Sequence, residues 1–252
     1  LKALILAAGL GTRLMPLTKN QPKCMVEYQG KKIIDYEIEA LWEAGIHEIA
    51  VVGGYLAEIL KEYLVQKYAI KTFFENSYFD STNMVATLFC AREWIESCIS
   101  QQDDLIISYA DIVYSKEVVK KLMEIDTPFG IIVDKQWRKL WEKRFDNPLD
   151  DAETLKIREG KVIEIGKKAK SYQEIEGQYI GLIKFSYRFL PQVLGFYESL
   201  NRNVLYDGKD FHNMFMTSFL QGLIDKYNNA LAVCIDGGWC EIDSKKDLEI
   251  RL

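Results

Sequence analysis

Leu6-Ala7-Ala8-Gly9-Leu10-Gly11-Thr12-Arg13-Leu14-Met15-Pro16-Leu17-Thr18-Lys19-Asn20-Gln21-Pro22-Lys23 begins at the end of the aliphatic run Lys2-Ala3-Leu4-Ile5-Leu6. The run reads as a buried strand, and Gly9 and Gly11 turn it into a loop. Glycines there let main-chain N–H groups approach phosphate oxygens that a β-carbon would obstruct. Arg13 supplies a planar fork for a triphosphate, and Lys23, held behind Pro22, a point charge. Taken alone, Gly-x-Gly is equally compatible with a plain strand-to-helix turn. It lacks the third glycine of the dinucleotide fingerprint and the Gly-Lys-Ser/Thr ending of a P-loop.

Outward from this loop the chain alternates. Ile34, Ile38, Leu41 and Trp42 recur at helical spacing, Gly45 is a stop signal, and 48–52 reads as a strand, which makes one βαβ unit. A helix near 56–68, a strand near 70–74, a helix carrying Met84, Leu88, Ala91 and Ile95, a strand at 105–108, a further helix and a strand at 129–133 follow. The expected class is α/β: a Rossmann-like, mostly parallel sheet flanked by helices. From about 134 to 186 the pattern changes to a hairpin (154–158 and 161–166, turned at Glu159-Gly160) and a strand at 178–186. This reads as a small antiparallel arm laid over the sheet on the acceptor side. Helices near 187–200 and 211–227, a strand at 230–235 and a short helix from Ser244 complete one domain, 1–252.

The composition of the 252 residues allows a sizeable core. No apolar run nears the roughly twenty residues of a membrane span, and there is no signal-peptide pattern, so a cytoplasmic protein is expected. Leu1 is not a natural start, and only an initiator region is expected to precede it. Five scattered cysteines and two histidines offer neither a disulfide framework nor a zinc site. A net charge of −5 argues against a nucleic-acid partner.

The stretch 6–23 carries every fixed position of L-A-A-G-x-G-T-R-L-x-P-L-T-x-x-x-P-K and so resembles the opening of the sugar-phosphate and phosphocholine nucleotidylyltransferase superfamily. The resemblance implies that Leu6, Ala8, Gly9, Gly11, Thr12, Arg13 and Lys23 hold a nucleoside triphosphate, with Arg13 and Lys23 also stabilising charge during transfer. It implies Mg²⁺ held by an aspartate after a middle strand, here Asp111 in Leu105-Ile106-Ile107-Ser108-Tyr109-Ala110-Asp111, and by a second near the end, Asp243 in Gly237-Gly238-Trp239-Cys240-Glu241-Ile242-Asp243. Hard oxygen ligands suit that ion. Without the resemblance, Asp111 reads as a strand-end turn residue and Asp243 as a helix N-cap. The base is expected in the loops that hold Gly53, Gly54 and Tyr55 and Glu75, Asn76, Thr82 and Asn83, which follow strands as ligand loops do in open α/β sheets; Asn83 is equally a helix N-cap.

For the acceptor, Lys168 looks like the lysine of the family's E-K-P motif, although Lys167 replaces the acid and Ala169 the proline; a solvated basic turn fits as well. Lys184, Tyr179 and Trp239 are further acceptor-side candidates. Trp137 and Trp141, four apart, read better as core cover than as part of a cation cage. Asp146 to Asp151 can meet an amino group or lie in a solvated loop. Asn83-Met84-Val85-Ala86-Thr87-Leu88 and Glu241-Ile242-Asp243 resemble the phosphocholine cytidylyltransferase branch, whose members activate phosphocholine, aminoalkylphosphonates and, in capsule-modification pathways, phosphorylated glutamine. The expectation is CTP as donor, a small phosphorylated acceptor and release of pyrophosphate. A sugar-1-phosphate nucleotidylyltransferase would use the same catalytic residues. A non-catalytic regulatory subunit would have no need of Arg13, Lys23, Asp111 and Asp243 together. A glycosyltransferase is disfavoured because Asp111 is followed by Ile112-Val113, not a D-x-D metal motif.

Overall fold

The computed structural model describes residues 1–251. Its strands are β1 (Lys2–Ala7), β2 (Glu27–Tyr28), β3 (Lys31–Lys32), β4 (Ile49–Gly53), β5 (Thr72–Glu75), β6 (Leu105–Tyr109), β7 (Ile112–Tyr114), β8 (Phe129–Asp134), β9 (Glu153–Arg158), β10 (Lys161–Lys168), β11 (Gln178–Phe185), β12 (Ala230–Ile235) and β13 (Trp239–Glu241). The helices are α1 (Ile33–Glu43), α2 (Ala57–Tyr68), α3 (Met84–Cys90), α4 (Arg92–Gln101), α5 (Lys116–Met123), α6 (Trp137–Arg144), α7 (Leu190–Ser199) and α8 (Met216–Tyr227). Among the described residues no helix is long and apolar enough to cross a membrane.

Nine strands form one sheet in the order β5-β4-β1-β6-β11-β8-β12-β10-β9. β1 pairs in parallel with β4 and β6, β4 with β5, and β12 with β8, which is the expected mostly parallel architecture. Alternation along β1 divides the core between two layers. Ala3 and Ile5 join the apolar faces of α1, α2, α5 and α6, while Leu4 and Leu6 join those of α3, α4, α7 and α8.

The antiparallel segment differs from the expected arm. The β9–β10 hairpin turns at Glu159-Gly160 as read, with positive φ at both residues, but it prolongs the main sheet at its edge. β11 runs antiparallel in the middle of the sheet, between β6 and β8. The reason lies in its composition: seven of its eight residues are buried, a run too apolar for a strand with one wet face. Two expected helices are also broken. The helix over 84–95 divides at Ala91, whose ψ of 29° is not helical, and the one over 211–227 begins with a separate 3₁₀ turn at Phe211–Asn213. The expected last helix is a 3₁₀ turn, Asp247–Glu249.

β11 reaches its central place through a register irregularity between Tyr179 and Ile183. Gly181 lies inside it with φ +89°, and a β-carbon there would stand 2.6 Å from the ring of Tyr109. Gly181→Ala is therefore expected to destabilise the fold by at least about 1 kcal/mol, from the backbone penalty alone. A fall in the urea midpoint with an unchanged slope is the measurement that checks it.

Candidate active site

Two small elements bring the ends of the chain's chemistry together. β13 pairs antiparallel with β7, and the N–H of Ile242 donates to the carbonyl of Asp111 at 2.8 Å, so Asp111 and Asp243 lie side by side. A third apolar cluster, Leu14, Val26, Tyr28, Ile33, Val113, Cys240 and Ile242, packs the signature loop against this pair of strands. Gly11, at φ +62°, starts the 3₁₀ turn Thr12–Leu14, and its carbonyl accepts from Thr18 Oγ1 at 2.9 Å.

Lys23 Nζ stands 2.6 Å from Asp111 Oδ2 and also pairs with Asp243, to which Arg13 forms a second ion pair. Burial works against the Lys23 charge, but the carboxylates of Asp111 and Asp243 outweigh it and raise its pKa. Burial likewise opposes ionisation of Asp243, and Lys23 with Arg13 and Arg144 holds its pKa below the ordinary value. Oxygen atoms of Asp111, Asp243 and Glu241 all lie within 4.8 Å of one another. Asp111 Oδ1 is buried without a hydrogen-bond partner. A hard divalent cation suits that donor set and would use the unpaired oxygen.

A cleft of about 260 Å³ opens above the loop, lined by Leu6, Ala8, Gly9, Gly11, Thr12, Arg13, Lys23, Thr82, Asn83, Asp111 and Asp243 from the expected set, together with Phe79 and Tyr109. Gly54 lies beneath it: a β-carbon would come 2.7 Å from the carbonyl oxygen of Ala8. Asn76 is buried and props the loop, donating to Thr82 and Thr87 at 2.9 Å each, and Asn83 caps α3 through the N–H of Met84. Glu75 ends β5 exposed and outside the cleft lining.

A second cleft of about 250 Å³ shares Arg13, Asn83, Tyr109 and Asp243 with the first and adds Tyr179 and Trp239 as expected. Trp141 joins them, and Asp151, Glu153 and Glu241 make it acidic. Asp151 accepts from Trp141 Nε1 at 3.0 Å, and Gln178 clasps the main chain of Glu153 with bonds of 3.1 and 2.6 Å. The lysines expected here lie elsewhere. Lys184 is buried toward the opposite end of the strands, where it pairs with Asp104 at 3.1 Å, because β11 runs away from the site after Tyr179. Lys168 donates to the carbonyls of Leu149 and Asp150 at 2.7 and 2.5 Å and lines neither cleft. Of the residues not anticipated, Glu153 lies two positions beyond the acidic stretch 146–151. Tyr109 is two before Asp111. Arg144 and Asp247, buried and paired across more than a hundred residues, gave no local signal.

An open α/β sheet with a glycine-rich loop after its first strand, two carboxylates across from a lysine and two adjoining clefts defines a nucleotide-dependent group-transfer protein. The chain belongs to the nucleotidyl transferase family, which matches residues 2–139. It is 64% identical over 252 residues, 100% of this chain and 99% of the other, to CTP:phosphoglutamine cytidylyltransferase of Campylobacter jejuni. Choline-phosphate cytidylyltransferase of Streptococcus pneumoniae is 41% identical over 106 residues, 42% of this chain and 46% of that one. Among solved structures, the inositol-1-phosphate CTP transferase of T. maritima shares the fold with a TM-score of 0.77 at 19% identity, over 98% of this chain and 90% of that one.

The two glycines of the loop have different reasons. Gly11 is required by its own φ and by Lys23, whereas a β-carbon on Gly9 would meet nothing within 4 Å. The space at Gly9 is open, on the rim of the cleft. Gly9→Ala is expected to leave stability within about 0.5 kcal/mol of the parent and to weaken nucleotide binding at least about tenfold. Thermal unfolding and calorimetric titration with the nucleotide check the two halves separately.

Proposed function

We propose that this chain transfers CMP from CTP to a small phosphorylated acceptor that carries an amino group, of the phosphoglutamine type, with release of pyrophosphate. The observation that carries this reading is the meeting of the nucleotide cleft and the acidic, aromatic cleft at Arg13 and Asp243. The near full-length identity to a CTP:phosphoglutamine cytidylyltransferase supports both substrates. A nucleoside triphosphate donor places the reaction in the cytoplasm.

An oxygen of the acceptor phosphate attacks the α-phosphorus of CTP. The new P–O bond forms as the bond to the β-phosphate bridging oxygen breaks, and pyrophosphate leaves toward Gly11 and Arg13. The acceptor is already ionised, so the chain supplies position and charge, not a nucleophile. Lys23 lies where it can stabilise charge between the two phosphates. Asp111 and Asp243 would hold Mg²⁺, whose chemistry is neutralisation of the triphosphate. At the far end Asp151, Glu153 and Glu241 would face an ammonium group, to which the ring faces of Trp141 and Trp239 would add cation–π attraction. A sugar 1-phosphate would leave Asp151 and Glu153 without a positive partner.

With phosphoglutamine as acceptor, kcat/KM for CTP is expected to exceed that for UTP at least about tenfold, because a pocket that accepts from the cytosine amino group faces an acceptor in uracil. Asp111→Ala is expected to abolish turnover without unfolding the chain. Equal use of the two nucleotides in a competition assay would overturn the CTP assignment, and activity of Asp111→Ala in saturating Mg²⁺ the metal assignment.

Glu153 gives a pH test. Burial first, then repulsion from Asp151 and Asp207, pushes its pKa up from an ordinary 4.5 to about 7. The folded chain thus holds this proton more tightly than the unfolded chain, and the stability so gained is complete below pH 4.5 and lost as pH rises through about 7. Glu153→Gln keeps the neutral shape, so it is expected to be more stable than the parent above pH 7 and equal to it near pH 4.5. At pH 8 the variant is expected to raise the KM for phosphoglutamine at least about tenfold, the loss of one charge-assisted contact, with the KM for CTP unchanged. Urea titrations across pH and initial rates at pH 8 check it.

A further inference from the structure

Arg144 ends α6 with only 2% of its side chain exposed. Its Nε lies 3.0 Å from Asp247 Oδ1 and one terminal nitrogen 2.5 Å from Glu241 Oε2. The other oxygen of Asp247 accepts from the N–H of Asp243 at 2.9 Å, the N–H of Ser244 at 2.8 Å and Ser244 Oγ at 3.0 Å. Asp247 is thus divided between a buried arginine and the main chain that carries Asp243. A buried charge network of this kind contributes little net stability, because desolvation offsets the attraction, and an apolar cluster would fill the space as well. What it supplies is geometry: the rigid guanidinium presents separate donors to the two carboxylates, whereas a lysine would present a single point charge on a flexible stem.

We propose that Arg144 is a positioning residue for metal binding. It holds Asp247, Asp247 fixes the backbone at Asp243 and Ser244, and the Asp243 carboxylate is thereby aimed at Asp111. The same guanidinium engages Glu241, the third carboxylate of the cluster, and so limits its competition for the cation. Arg144 itself lines neither cleft. Its helix does: Trp141 on α6 lines the acceptor cleft and holds Asp151, so α6 ties the acceptor side to the loop of Asp243. The proposal rests on Asp243 being a metal ligand.

The test compares Arg144→Met, Arg144→Lys, Asp247→Asn and Asp243→Ala, with Mn²⁺ binding to the protein alone followed by electron paramagnetic resonance, and the Mg²⁺ concentration for half-maximal activity as a second readout. Loss of a partner that orients a metal ligand weakens metal binding about 10- to 100-fold. That range is expected for Arg144→Met and Asp247→Asn, with Arg144→Lys between them and the parent and the KM for CTP at saturating Mg²⁺ changed less than about threefold. Should Arg144→Met fail to fold, Asp247→Asn, which keeps the shape and one oxygen acceptor, decides the matter. Weakened Mn²⁺ binding in Asp243→Ala with parental binding in Arg144→Met or Asp247→Asn would overturn the positioning role alone. Parental binding in Asp243→Ala would overturn the metal assignment and the proposal with it.

Discussion

The ammonium of Lys23 lies between two carboxylates that the chain brings together from positions 111 and 243, and the rest of the site depends on that bridge. Two such charges within 4.8 Å repel by roughly 3–4 kcal/mol at an effective dielectric of about 20. Lys23 and Arg13 offset that repulsion, which is why the charge on the lysine survives burial. The short β7–β13 pairing and the apolar cluster around Tyr28 then act as the frame that holds three separated segments at one point. On the proposed reading the same side chains change partners during the reaction cycle: triphosphate oxygens would compete for Arg13 and Lys23, leaving Asp111 and Asp243 to hold Mg²⁺.

What was legible in the sequence was what local chemistry dictates. The strand-loop signature places Gly9, Gly11, Arg13 and Lys23 at the cleft, and the motifs around Asp111 and Asp243 put both at the same spot. The hairpin at Glu159-Gly160 could be read because only a few residue pairs tolerate its backbone. The place of β11 could not. A strand buried on both faces looks the same whether it runs parallel or antiparallel, and nothing local says which neighbours it joins. Lys184 was misplaced for that reason: once β11 enters the sheet reversed, its second half points away from the ligand edge. Arg144 and Asp247 were invisible because their meaning is a contact between α6 and the last turn of the chain.

Charge is unevenly divided between the two clefts. Arg13 and Lys23 balance Asp111 and Asp243 in the first, whereas Asp151, Glu153, Glu241 and Asp243 outnumber Arg13 in the second. On the proposed reading that asymmetry orients an acceptor with a phosphate and an ammonium group, because the reverse orientation would set its phosphate against the carboxylates of the second cleft. The arrangement works against the fold. Glu153 is raised toward neutrality by its own surroundings, and a protein selected for stability alone would have a glutamine or an apolar residue there.

The glycines show the same division between what the chain needs and what a ligand needs. Gly181 and Gly11 answer to their own backbone and to Tyr109 and Lys23, and Gly54 to the carbonyl of Ala8, so each would be retained in a fold without activity. Gly9 answers to no atom of the chain. On the proposed reading the residue leaves open the space where a phosphate would lie against main-chain N–H groups. That open space and the buried, unpartnered Oδ1 of Asp111 would then be completed by groups that the chain does not itself supply.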